Sequence, residues 1–324
     1  MNVLGIESTA HTLGIGITKG GKVVSNVIDM HREDDGGITP RKTADHHERM
    51  FTEVLSRSLK EAKLEMNNID LIAFAQGPGI GAPLRVGVVG AKYLAGKYSK
   101  KIIGVNHPYA HIKIAEKYSK LKNPLVLYIS GGNTQILLEK KPFEFQILGE
   151  TFDIGVGNLF DSFGRRVGMK NAHGSILEEL AQKGKYIELP YSVKGMNLVF
   201  SGLLTAAERK YKEGDKLEDV VYTLMETSFA ELCEATERAL FLTKKKGLIV
   251  CGGVAQNKRL KEMLKIMCDE DSIEFGYAPD EFNRDNGAMI AYAGELLYKK
   301  FKNRPINYWE ADQNYRITQI KEKL

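Results

Sequence analysis

One pattern limits what this chain can fold into more than any other: an apolar strand, a small polar turn and a second apolar strand, written twice. The first copy reads Val3-Leu4-Gly5-Ile6, a turn at Glu7-Ser8-Thr9, then Leu13-Gly14-Ile15-Gly16-Ile17. The second reads Leu125-Val126-Leu127-Tyr128-Ile129, Ser130-Gly131-Gly132-Asn133-Thr134, then Ile136-Leu137-Leu138. Setting Ser8 on Ser130 places the copies 122 residues apart. Solenoid repeats recur every ~20–50 residues, so this spacing predicts two duplicated lobes instead. A length of 324 residues fits that reading.

Helix-like and strand-like stretches alternate through the rest of the chain. Helices are predicted over 41–63, 84–99, 156–169, 175–183, 203–213, 216–246, 255–268 and 286–301, with strands over 69–76, 102–106 and 248–251. The long helix carries Leu217, Val220, Val221, Leu224, Met225, Phe229, Leu232 and Cys233 at helical spacing, a stripe that reads as core. The class is therefore α/β, with an N-terminal lobe over 1–123 and a C-terminal lobe with a helical insertion over 124–324. No low-complexity linker separates them, so they are expected to pack across a cleft.

With 43% hydrophobic and 27% charged residues, the composition excludes a disordered tail. No run of 18 apolar residues occurs, and MNVLGIEST has neither the basic flank nor the apolar stretch of a leader. Cys233, Cys251 and Cys268 form no CxxC, which excludes a zinc ribbon built on that motif and points to a reducing compartment. A cytoplasmic enzyme is the expectation, with no membrane partner. The net charge of +5 is compatible with an anionic partner without requiring one.

Three small-residue turns follow apolar strands: GIESTA at 5–10, ISGGNT at 129–134 and VCGGVAQN at 250–257. Such turns let backbone N–H groups approach phosphate oxygens. None matches GxxxxGK[ST] or GxGxxG, so neither of those phosphate-binding fingerprints applies. Three turns, two of them in a duplicated hairpin, favour a nucleotide over mere tight turns.

His107-Pro108-Tyr109-Ala110-His111 starts a predicted helix, so its two imidazoles project from one face at metal-ligand spacing. Core or solvated histidines are the commoner explanation of a lone HxxxH. The glutamate of HExxH is missing, which removes the general base of a zincin protease. Asp285 stands where a helix begins and reads by itself as a cap. Tyr128 ends a strand and reads by itself as packing. Glu150, Asp153, Asp161 and Glu178 surround the second hairpin, either on a nucleotide's ribose or as surface charge. Lysine runs at 97–101, 244–246, 258–265 and 299–304 read as helix-end charge, or as a stripe for nucleic acid if the fold merges them.

Together these motifs resemble the tRNA threonylcarbamoyladenosine-forming enzymes, namely the catalytic subunit of the archaeal and eukaryotic KEOPS complex and its bacterial relative TsaD. The resemblance runs through GIEST, GGITPRKTADHH, GPGIGAPLRVG at 77–87, NHPYAH at 106–111, YISGGNTQ at 128–135 and ETFDIGVGNLFDSFGRR at 150–166. It continues through FSGLLTA at 200–206, CGGVAQN at 251–257 and RDNGAMIA at 284–291. It implies the actin/Hsp70/sugar-kinase (ASKHA) fold around a nucleotide cleft. It also implies an iron ion, with zinc as the alternative, on His107, His111, Tyr128 and Asp285. Tyr128, Ile129, Ser130, Gly131, Gly132, Asp161, Gly174, Glu178 and Asn257 would hold threonylcarbamoyl-AMP, or ATP with Mg.

The implied reaction moves L-threonylcarbamoyl to N6 of adenosine 37 in tRNAs reading codons that begin with adenine, with no catalytic residue beyond the metal centre. The implied partners are such a tRNA, a small kinase-like ATPase and a small dimerising subunit. The polar end, Tyr315 to Leu324, is read as a stretch that could join a fused kinase. One departure is His173-Gly174-Ser175 in place of Gly-Gly-Pro, which keeps Gly174. The alternatives are a metal-dependent peptidase, a nucleotide-gated scaffold, and a sugar or acetate kinase on the same fold.

Overall fold

The first lobe is built on β1 (Asn2–Glu7), β2 (Thr12–Lys19), β3 (Lys22–Met30), α1 (Pro40–Ala62), β4 (Leu71–Gly77), α2 (Gly81–Lys97), β5 (Lys101–Asn106) and α3 (His107–Ser119). The second copy follows as β6 (Leu125–Ile129), β7 (Thr134–Lys141), β8 (Glu144–Glu150), α4 (Val156–Arg166), α5 (Gly174–Ala181), β9 (Val193–Lys194), β10 (Asn197–Leu198) and α6 (Ser201–Lys212). Then come α7 (Leu217–Thr243), β11 (Gly247–Cys251), α8 (Lys258–Glu270), β12 (Glu274–Tyr277), α9 (Asp280–Asn283), α10 (Gly287–Lys300) and α11 (Ile320–Lys323). The computed structural model describes residues 1–33, 38–170, 174–301 and 304–324. Gly36 and Gly37 of the GGITPRKTADHH segment, and His173 of the departing turn, lie outside them.

The two sheets share one wiring. The first has strand order β3-β2-β1-β4-β5 and the second β12-β11-β6-β7-β8. In each, a three-stranded antiparallel meander is extended by two parallel strands. Strands β6, β7, β8, β11 and β12 therefore repeat β1 to β5, the duplication read from the hairpins. The meanders' outer strands β3 and β8 were not expected from the sequence, because both carry polar residues on their half-buried faces.

The chain divides into one unit of Met1–Glu33, Ile38–Ile114 and Arg284–Leu324, and another containing Ala115–Asn283. This partition differs from the boundary expected from the sequence, which put everything from 124 onward in the second lobe. The physical reason is glycine. Gly5 and Gly16 lie opposite each other across β1 and β2, and α10 rests on the bare backbone they leave. A Cβ on Gly16 would stand 2.3 Å from the Ala288 nitrogen, and one on Gly5 2.2 Å from the Gly287 oxygen. Only glycine permits that approach, so α10 returns to the first sheet.

The C-terminal residues return with it. Trp309, Tyr315, Ile317, Ile320 and Leu324 are buried, so the polar-looking stretch packs its apolar residues into the first unit. Its backbone is pinned where Asp312 N–H donates to the Gln76 carbonyl at 2.8 Å and Lys92 Nζ donates to the Trp309 carbonyl at 2.9 Å.

In the second unit, α7 buries Val220, Val221, Leu224, Met225, Phe229 and Leu232 as the stripe predicts, while Leu217 and Cys233 stay half-buried. Another face of α7 holds the segment 185–195 by its backbone. Lys185 N–H donates to Asp219 Oδ1 at 2.7 Å, Ile187 N–H to Thr223 Oγ1 at 2.9 Å and Ser192 N–H to Glu231 Oε1 at 2.8 Å. Glu231 is buried, and its pKa is pushed up to about 7 by burial and by the nearby Glu234 and Asp153 charges.

Two stability predictions follow from these contacts. Gly16→Ala should lower the urea midpoint by the equivalent of about 1–3 kcal/mol or more, whereas Gly96→Ala, in a helix with open space around it, should raise it by roughly 0.4–1 kcal/mol. Glu231 binds its proton more tightly folded than unfolded, so it favours the fold at low pH and loses that contribution as pH rises through about 7. Glu231→Gln should therefore melt higher than the parent at pH 8, by on the order of 1–3 kcal/mol, with the gap closing towards pH 5.

Candidate metal centre and nucleotide-binding turns

Helix α3 begins immediately after β5, so His107 and His111 issue from the end of a sheet strand onto one helix face. Asn106 fixes this start: its Oδ1 accepts from Tyr109 N–H at 3.1 Å, while its Nδ2 donates to the Tyr315 carbonyl at 2.8 Å. Asp285 arrives from the other direction, two residues before the glycine that seats α10. Asn286 caps that helix by accepting from Met289 N–H at 2.9 Å, which relieves Asp285 of the cap role the sequence suggested.

The three side chains converge. His111 Nε2 lies 3.2 Å from His107 Nε2 and 3.1 Å from Asp285 Oδ1, and His107 Nε2 lies 3.4 Å from that same oxygen. A metal ~2.1 Å from each of three such donors would see them roughly 95–110° apart, an ordinary angle for three ligands on one side of an ion. Among the described residues this is the one group of three or more His, Cys, Asp or Glu side chains with atoms close enough for a single ion. Two imidazoles and a carboxylate suit iron or zinc.

The charges show what the protein does before an ion arrives. Burial acts to lower the His107 pKa, but the Glu7 and Asp285 carboxylates outweigh it and raise it to about 10. Burial also opposes ionisation of Asp285, yet the His107 charge and hydrogen bonds from both imidazoles hold its carboxyl well below the usual range. His111 is lowered by burial and by the His107 charge. A proton on His107 thus occupies the place a metal would take.

Sequence reasoning missed Glu7, which it assigned to the first turn. Glu7 is the last residue of β1 and fully buried, with Oε2 2.9 Å from His107 Nδ1 and Oε1 accepting Thr9 N–H at 2.7 Å. Its partner in α3 is 100 residues away, beyond any local pattern.

The expected nucleotide residues all belong to the second unit, as does Tyr128, which is buried on β6. After Ile129 the turn closes through Ser130 N–H to the Asn133 carbonyl at 2.8 Å, and Gly131 and Gly132 are exposed. The turn lies against the start of α4, where Asn158 N–H donates to the Gly131 carbonyl at 2.9 Å. A Cβ on Gly157 would come within 2.7 Å of the Gly131 Cα, so the seating requires glycine. Asp161 is half-buried on α4, and Gly174 opens α5 with free space around it.

Glu178 and Asn257 meet at the start of α8. Asn257 Oδ1 accepts from Leu260 N–H at 3.0 Å, and Glu178 Oε1 accepts from Lys258 N–H at 3.0 Å. Asp153 accepts from the Phe200 and Ser201 N–H groups at 3.0 and 2.7 Å and so caps α6.

Other candidates are committed elsewhere. Arg259 pairs with Glu226 and Glu262, Lys261 with Asp280 and Lys265 with Asp269, so three of the four basic residues of the run on α8 are paired with neighbours. Burial raises all three thiols, Cys233 and Cys268 to about 12, which leaves them protonated and poor nucleophiles.

Comparison with known proteins gives the family and the fold. The model of the family TsaD, tRNA N6-adenosine threonylcarbamoyltransferase, matches residues 21–292. A protein of that name from Thermococcus sibiricus is 50% identical over 301 residues, 92% of each chain. One from Thermococcus kodakarensis is 47% identical over 323 residues, 99% of each. A probable bifunctional tRNA threonylcarbamoyladenosine biosynthesis protein of Methanocaldococcus jannaschii is 45% identical, over 99% of this chain and 60% of its own length.

Among solved structures, the HypF of T. kodakarensis superposes with a TM-score of 0.64 at 16% identity, covering 92% of this chain and 47% of that one. Component A of the Acidaminococcus fermentans (R)-2-hydroxyglutaryl-CoA dehydratase gives 0.56 at 16%, covering 91% and 98%. At such identities the likeness speaks to the fold, which is of the ASKHA type. The described residues include no helix long and apolar enough to cross a membrane.

An ion bound at the triad would compete with the proton on His107 Nε2, so its binding should release about one proton. Apparent affinity for a divalent metal should then rise about tenfold per pH unit between pH 6 and 8. Calorimetry in buffers of different ionisation enthalpy counts that proton directly.

Proposed function

Since the chain belongs to the tRNA N6-adenosine threonylcarbamoyltransferase family, a family of tRNA-modifying transferases, we propose that it transfers L-threonylcarbamoyl from threonylcarbamoyl-AMP to N6 of adenosine 37. The tRNAs concerned read codons beginning with adenine. The observation that carries this reading beyond the family is the His107–His111–Asp285 cluster, whose donor atoms and charges suit one metal ion.

The nucleotide half of the adenylate, or ATP with Mg in its place, is assigned to the second unit. There the backbone of the half-buried Ser130 and the exposed Gly131 and Gly132 would face the phosphates, and Asp161, Gly174, Glu178 and Asn257 frame the rest. Glu178 and Asn257 already cap α8, so their part is to hold that helix start in place while Glu178 Oε2 and Asn257 Nδ2 meet the ligand. Iron or zinc on His107, His111 and Asp285 would supply Lewis acidity or a template for the acyl group.

The chemistry needs no enzyme nucleophile. A bond forms between N6 and the carbamoyl carbon, the bond from that carbon to the phosphate oxygen breaks, and AMP leaves with the electron pair while N6 gives up a proton. The raised cysteine thiols agree with direct attack. The longer bifunctional relatives support work alongside further subunits, here read as a KEOPS-type assembly in the cytoplasm with a small kinase-like ATPase and a dimerising subunit.

The test is mass spectrometry of nucleosides from unmodified tRNA incubated with threonylcarbamoyl-AMP, the partner subunits and this chain. The parent protein should yield the modified adenosine, and His107→Ala/His111→Ala should lower the yield about 100-fold or more. Equal yields would remove the metal from the reaction. No product from a verified complete assembly would remove the transferase reading.

A further inference from the structure

We propose that Glu7 is a positioning residue of the metal centre: it fixes the His107 tautomer and supplies the negative charge that matches the site to a dication. This rests on the metal reading of the triad and deepens it.

The first argument is geometric. Both carboxylate oxygens of Glu7 are engaged. Oε1 takes Thr9 N–H at 2.7 Å and also the Thr9 hydroxyl, which orients the carboxylate from the β1–β2 turn. Oε2 is then presented to His107 Nδ1 at 2.9 Å, a contact that requires the imidazole proton to reside on Nδ1. With Nδ1–H committed, the lone pair of the neutral ring is on Nε2, the atom that faces His111 and Asp285. A histidine ligand gains basicity and loses rotational freedom through such an outer carboxylate.

The second argument is charge. Holding a turn needs only an acceptor, which a neutral side chain could provide. A fully buried carboxylate is costly unless a cation compensates it. With both imidazoles neutral, Asp285 and Glu7 contribute two negative charges, and a divalent ion at the triad brings the buried site to zero. The arrangement therefore favours a dication over a monovalent ion, and it couples the turn at Thr9 to the metal-bearing helix.

The experiment uses the full chain and Co2+, whose visible absorption reports ligation, together with Zn2+ for NMR. His111→Ala, against the parent, establishes that Co2+ occupies the triad. Glu7→Gln should weaken Co2+ binding about 10–100-fold with a near-native melting curve, and Glu7→Asp should fall between. In parent protein labelled with 15N-histidine and loaded with Zn2+, His107 should show a slowly exchanging Nδ1 proton. Glu7→Gln should shift that proton and speed its exchange.

Co2+ affinity within twofold of the parent in a folded Glu7→Gln protein would overturn the proposal. So would a Zn2+-loaded parent whose His107 carries no Nδ1 proton, a result that needs no variant to fold. If the parent and His111→Ala bind Co2+ alike, the metal reading itself falls, and Glu7 with it.

Discussion

A helix lying on bare strand backbone is the contact from which the rest of the first unit takes its geometry. Gly5 and Gly16 face each other across two strands, and Gly287 opens the helix that covers them. No side chain stands between, so the seating of α10 is set by backbone against backbone and has little room to slide. Asp285 precedes Gly287 by two residues and inherits that rigidity. The carboxylate therefore reaches His107 and His111 from a fixed direction, although 174 residues separate it from His111.

The polar chemistry follows from burial. Glu7, His107 and His111 are buried, and charges taken out of water must balance locally. Glu7, His107 and Asp285 form a chain of opposite charges, with His111 kept neutral beside them. In the second unit the charged groups serve the backbone, since Asp153, Glu178 and Glu231 each accept N–H groups and so fix loops and helix starts. Carboxylates that look alike in sequence thus divide into one set that faces a cation and another that replaces missing backbone acceptors.

What was legible in the sequence was what local rules encode. Alternating apolar strands around a small turn repeat visibly, and the repeat foretold two sheets of like wiring. Two histidines four residues apart on a helix share a face whatever surrounds them. The rest depends on pairings across the chain. Gly5 and Gly16 read as flexible turn flanks when they are in fact a landing surface. Glu7 read as part of a turn because nothing near it is cationic. Trp309 and Tyr315, in a stretch rich in polar residues, gave no sign that they fill the core of a lobe begun at residue 1. Asp285 entered through family resemblance, since a lone aspartate before a helix points first to a cap.

The discontinuity of the first unit has a consequence for how the protein is made. Residues 115–283 are continuous, so every strand and helix described in that unit has been synthesised before residue 284 appears. The other must hold β1 to β5 without α10, its glycine-lined face uncovered, until residues 284–324 emerge. At ~5–20 residues per second that wait lasts roughly ten to forty seconds. Throughout it His107 and His111 exist without Asp285, and Glu7 has no closed site to balance. Assembly of the triad is therefore timed by translation: His107, His111 and Asp285 can meet only once the second unit and the start of α10 have been synthesised.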